Sequence, residues 1–167
     1  MSIIDSFIAE FVEEAAHTRR ALERAPEERF DWAPHPKSMT MARLASHLAE
    51  LPQWAGAILD ADEFVLPGKG GYTPFMAKNR VELLETFDRS IEQAKEKMEG
   101  QPDEKMTARW RMKSGDRVVV EAPRIGVMKQ ILLNHAIHHR GQLTVYLRLN
   151  DIPVPAIYGP SADEQTF

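Results

Sequence analysis

The sequence contains no cysteine. Disulfides, iron–sulfur clusters, thiolate zinc sites and cysteine nucleophiles are therefore excluded. A bound metal would have to be held by nitrogen and oxygen, and a thiol taking part in chemistry would have to arrive with a ligand. No apolar run approaches the roughly 20 residues that span a bilayer as a helix, so no membrane association is expected. Basic blocks are also missing. With 21 Lys+Arg against 25 Asp+Glu the formal net charge is −4, which argues against nucleic acid as a partner. The opening stretch MSIIDSFIAEFVEE has early acids and no basic n-region, unlike a secretory signal. A cytoplasmic location is the expectation.

What is present suits one globular domain over 1–167. Hydrophobic residues make up 43% and charged residues 28%, ordinary proportions for a chain with a sizeable core. Four long amphipathic patterns stand out, at about residues 3–24, 41–60, 77–98 and 124–149. In the first, Ile4, Phe7, Ile8, Phe11, Val12, Ala15 and Ala16 recur three and four apart, and Pro26 ends the pattern. Ser38 or Thr40 can cap the second. Pro52 lies inside it and predicts a kink, because it lacks an amide hydrogen. In the third, Val81, Leu84, Phe87, Ile91 and Met98 should face inward.

Between these patterns, PEERFDWAPHPKS and FVLPGKGGYTPF read as loops. KMTARWRMKSGDRVVVEAP resembles a short hairpin around Ser114-Gly115-Asp116. The tail, with its three prolines from 153 to 160, should run extended over the body. The fold class these patterns predict is all-α, a four-helix bundle.

The fourth pattern contains NHAIHHRGQL, residues 134–143. His135 and His139 are four apart and share a helix face. Met128, Ile131 and Leu132 precede them, and Leu143 and Tyr146 follow, on the same stripe. Both imidazoles therefore point into the core, where a neutral ring still needs partners. A metal supplies one, taking one ring nitrogen while the other donates to a neighbour. The spacing is that of the two histidines of the HExxH zinc motif. His47, between Leu44 and Leu51 on the stripe of the second helix, offers a third ligand. Three neutral nitrogens with open positions describe a catalytic type of divalent site.

The remaining polar residues have weaker claims. His138 lies at the stripe's edge, His17 on a polar arc and His35 in a loop. Glu50, three after His47, is a candidate support behind the metal ligands, with a fourth ligand, a base or a solvated residue as the alternatives. Gln142 can reach the site from three residues beyond His139. Arg140 lies off the metal face and fits a salt bridge or an anion contact. Gly141, unfavourable in mid-helix, suggests close helix packing. Trp32, Trp54 and Trp110 suit core or pocket wall. A ferritin-like di-iron bundle would need Glu-x-x-His on its helices, and neither helix bearing the candidate ligands has it.

NHAIHHRGQLTVYLR, the upstream RFDWAPHPKSMTMARLASHLAELP and the ending IPVPAIYGPSADE together resemble the DinB-like family, over nearly the whole chain. The resemblance implies an up-down-down-up four-helix bundle, commonly a homodimer. It also implies one divalent metal, nickel or zinc, on the positions of His47, His135 and His139. Relatives of this kind resemble S-transferases for low-molecular-weight thiols, and many have no settled reaction. The expected function is a metal-dependent thiol S-transferase acting on a small electrophile. The alternatives are a metal-dependent hydrolase, with Glu50 as base, and a non-catalytic metal-containing binder of a small molecule in stress response.

Overall fold

The structure, a computed structural model, describes residues 2–165. Helix α1 spans Ile3–Leu22 and opens with a capping box. The Asp5 amide donates to Ser2 Oγ at 3.2 Å while the Ser2 amide donates to the Asp5 carboxylate at 3.0 Å, which satisfies two otherwise free amides. It lies against two other long helices, α4 and α7 (bounds below). Ile4, Phe7 and Phe11 are buried, and Thr18, Ala21 and Leu22 extend the stripe. Val12, expected in the core, is 41% exposed, because it projects beyond the arc those two neighbours cover.

Helix α2 spans Met41–Glu50, with Thr40 as its cap and the Arg43 amide donating to Thr40 Oγ1. Pro52 does more than kink it. The α-helix stops at Glu50, Leu51–Gln53 form a 3-10 turn, and α3 resumes over Trp54–Leu59. Helix α4 covers Arg80–Met98 and starts where Asn79 Oδ1 accepts from the Glu82 amide. The expected start at residue 77 is therefore three residues early. Val81 falls in the first turn and is exposed, whereas Ala77 is buried beside α2. A short helix α5, Asp103–Thr107, follows.

The fold is mostly helical, but a small sheet corrects the purely all-α expectation. Strand β1 (Glu63–Val65) pairs in parallel with β2 (Arg109–Ser114), and β2 pairs antiparallel with β3 (Arg117–Pro123). The β2–β3 hairpin is the anticipated one, turning at Gly115 with a positive φ of 58°. A lone hairpin is marginal in water. Here a third strand extends it, and Trp110 on β2 is fully buried against the helices. The Phe64-Val65 pair, expected in a loop, belongs to that third strand.

The fourth pattern is not one regular helix. Helix α6 (Arg124–Met128) passes into a π-helical segment, Lys129–Asn134, and then into α7, His135–Leu149. Buried Val127 and Met128 are followed five residues later by buried Leu132 and Leu133, the step of a π-helix. One core cluster joins Met41, Leu44, Leu48, Phe87, Leu143 and Tyr146. A second joins Phe7, Phe11, Ile58, Met98, Trp110 and Met128. Among the described residues, the tail from 152 to 165 lacks regular structure and is fastened by side chains. Glu164 pairs with Arg20 and Arg24, and Asp163 with Arg148.

Candidate metal centre

Residues His47 on α2 and His135 and His139 at the start of α7 meet between the two helices. His47 Nε2 lies 3.3 Å from His135 Nε2, and His139 Nε2 lies 2.8 Å from the same atom. All three rings offer a ligand atom within 4.8 Å of one another. Four nitrogens at about 2.0–2.1 Å around a tetrahedral zinc would be about 3.3 Å apart, so the cluster is of the right size. Two bare nitrogen lone pairs at 2.8 Å repel each other. A proton or a cation between them removes that repulsion.

Hydrogen bonds on the far side of two rings set their tautomers. His139 Nδ1 donates to Gln142 Oε1 at 2.7 Å, and His47 Nδ1 donates to Glu50 Oε1 at 3.3 Å. Each Nε2 is thereby left with a lone pair aimed at the centre, the usual support for a metal-bound histidine. Burial, reinforced by the neighbouring imidazoles His139, His47 and His138, pushes the His135 pKa down to about 4. Burial also lowers that of His139, partly opposed by its bond to Gln142. Both rings are neutral at pH 7, as ligands must be.

The structure brings Glu50 into the network on the edge of His47 opposite Nε2. Neither a solvated face nor a fourth ligand describes it. Its carboxylate accepts from Arg43 Nη2 at 2.6 Å, Tyr72 Oη at 2.6 Å and the Phe75 amide at 3.1 Å. Burial alone would raise its pKa, but the bonds from His47, Tyr72, Arg43 and Phe75 outweigh it and bring the group down to about 2. Sequence reasoning missed Arg43, Tyr72 and Phe75. The spacing of Arg43, Ser46, His47 and Glu50 along one helical face was a usable signal for the first. Nothing local marks the other two, which arrive from a distant loop.

Other candidates lie elsewhere. His138 is exposed, with its ring 5.0 Å from that of His139. His35 is exposed, and His17 packs edge-on against Tyr158. Arg140 is buried in an ion pair with Glu14 at 2.7 Å and also donates to the Glu14 carbonyl and to Tyr158 Oη. It faces α1 and the tail, as a structural anchor. Gly141 is exposed, and a Cβ there would meet nothing within 4 Å. Its expected close packing is absent because it lies on the outer side of α7. Trp32 stacks edge-on with Tyr146 and Trp54 with Phe64, both as wall rather than cage.

A mostly helical chain with three histidines between two helices, placed so that they could hold a metal ion, defines the class. Comparison narrows it. The DinB family profile matches residues 1–166, and the chain belongs to the DinB family. A DinB-like protein from Bacillus cereus ATCC 10987 superposes with a TM-score of 0.69 at 20% identity, covering 92% of this chain and 97% of that one. The DinB-like protein YjoA of Bacillus subtilis gives the same score at 16% identity, covering 90% and 96%. These likenesses show the fold. A 39-residue stretch is 46% identical to the uncharacterized protein YrdA of Bacillus subtilis strain 168, and this match spans 23% of each chain.

Proposed function

We propose that this protein holds one divalent metal ion, nickel or zinc, on His47, His135 and His139 and is a thiol S-transferase acting on a small electrophile. The observation that carries the reading is the convergence of three Nε2 atoms with no carboxylate among them. Three neutral ligands leave the full charge of a dication uncompensated, so the site favours an anionic fourth ligand such as a thiolate. A metal bound there lowers the pKa of an incoming thiol and makes it a nucleophile at neutral pH. The protein's part is to orient its ligands through Glu50 and Gln142 and to keep His135 and His139 unprotonated. The missing cysteine fits this reading, since the nucleophile comes with the co-substrate.

Hydrolysis is the weaker reading. Its proposed base, Glu50, lies behind His47 and is held near pKa 2, too acidic to accept a proton well at pH 7. The same proposal takes the chain as a single-domain, cytoplasmic homodimer whose long helices follow the up-down-down-up course of a four-helix bundle.

The test is to incubate metal-loaded protein with low-molecular-weight thiols and a chromogenic electrophile. Thiol consumption should exceed that of the variant with all three histidines changed to alanine by at least tenfold. Equal rates would remove the transferase reading. Tight thiol binding with no product would favour a non-catalytic binder.

A further inference from the structure

Residues 66–76 form a glycine-rich excursion between β1 and α4, and it returns onto the helix that carries His47. Its outer end is a tight turn. The Gly71 amide donates to the Gly68 carbonyl at 2.8 Å, and Gly70 has a φ of +82°. A Cβ on Gly71 would come within 2.9 Å of Pro67 Cβ and 3.1 Å of the Gly68 carbonyl oxygen. The turn therefore requires glycine, and it delivers Tyr72 back to α2.

There the segment is gripped by one stripe of side chains. Tyr72 Oη and the Phe75 amide both donate to Glu50 Oε2. Arg43 Nη1 donates to the Phe75 carbonyl at 2.9 Å, and the Ala77 amide donates to Ser46 Oγ at 2.9 Å. His47 lies on the same stripe, with its Nδ1 on Glu50 Oε1. One carboxylate thus holds the ring of a metal ligand with one oxygen and the excursion with the other. Tyr72 is 57% exposed, so its side chain contributes little to the core. Its hydroxyl is engaged all the same.

We infer that Tyr72 and Glu50 are positioning residues that couple the docking of residues 66–76 to metal affinity at His47. The inference rests on the metal reading given above. Docking the segment fixes the Glu50 carboxylate, which fixes the rotamer and tautomer of His47. A metal on Nε2 makes Nδ1–H a stronger donor to Glu50 and tightens the same chain of bonds. Coupling of this kind is reciprocal, so metal should hold the segment by the factor with which the segment improves metal binding.

The experiment uses the full chain, with Co²⁺ and Zn²⁺ as probes in competition with a chromogenic chelator. Glu50→Gln should weaken affinity about 10- to 100-fold, as loss of a partner behind a metal ligand does. Tyr72→Phe should weaken it severalfold and shift the visible Co²⁺ spectrum. In parallel, trypsin cleavage after Lys69, which is exposed within the segment, is timed with and without metal. Metal should slow cleavage in the wild type by a factor similar to the affinity loss in Tyr72→Phe, and should give that variant little protection. The ratio is taken within each variant, so a general change in stability cancels. Wild-type affinity in both variants, or cleavage indifferent to metal in the wild type, overturns the coupling. His135→Ala is the separate control. If it binds metal as tightly as the wild type, the metal centre itself is wrong and the coupling falls with it.

Discussion

At the scale of single residues, the candidate site depends on groups one bond behind its three histidines. Gln142 accepts from His139 Nδ1, so Gln142→Leu should lower metal affinity about tenfold, measured by chelator competition, with helicity unchanged by circular dichroism. The pH dependence follows from His135. Its pKa is about 4 in the metal-free fold against about 6.5 when unfolded. Between these values the unfolded chain binds more protons, so stability rises with pH. The contribution is complete above about pH 6.5 and disappears as the pH falls towards 4. Thermal melts of the metal-free protein should show Tm dropping across that window, and dropping less in His135→Asn. The cluster of His47, His135 and His139 was legible, because a histidine on an apolar stripe is conspicuous. Glu50 was visible as a residue near the site, but its partners Tyr72 and Phe75 were not, because they come from another part of the chain.

At the scale of elements, the π-helical segment Lys129–Asn134 ends directly before His135. Such segments behave as a one-residue insertion in an α-helix. Deleting exposed Gln130 should restore regular periodicity and turn α7 by about 100° relative to α6. The expected result is retained helical content with metal binding lost, read by circular dichroism and by metal content after purification. Arg140 anchors α7 to α1 through Glu14, with only 2% of its side chain exposed. Arg140→Ala leaves the largely buried Glu14 carboxylate with only the Tyr158 hydroxyl as donor and should destabilise the fold by about 3 kcal/mol, measured by urea unfolding. The sequence revealed α1 and most of α4 well because their apolar spacing is regular, and it marked the regions of the second and fourth patterns without their breaks. It did not reveal the π-helical segment, whose stripe is only slightly out of step, or β1, whose three residues are too short to show alternation. The start of α4 was misplaced because Ala77 is buried by its bond to Ser46 rather than by belonging to a helix.

For the whole molecule, a metal that binds only the folded state stabilises it by mass action, about 4 kcal/mol at a thousand times Kd. For a chain of this length that corresponds to a rise in Tm of about 10 °C. Scanning calorimetry with and without Zn²⁺ should show it, and the triple histidine variant should show no rise. No helix among the described residues is long and apolar enough to cross a membrane. The two core clusters, one beside the histidine cluster and one reaching the sheet, meet at Trp54 and Ile91, which pack against both.

The parallel pairing of Glu63–Val65 with β2 bears on the order in which the chain assembles. Glu63 pairs with Arg111, which the ribosome delivers long after it, whereas β2 and β3 are consecutive. Contacts so far apart in sequence pay their loop-closure entropy late. The hairpin can therefore pair before β1 joins and extends it. The Leu66 amide, at the base of the Tyr72 excursion, donates to Lys113 on β2. That loop can therefore be anchored at its first residue before His47 meets His135, a pairing that closes 88 residues of chain.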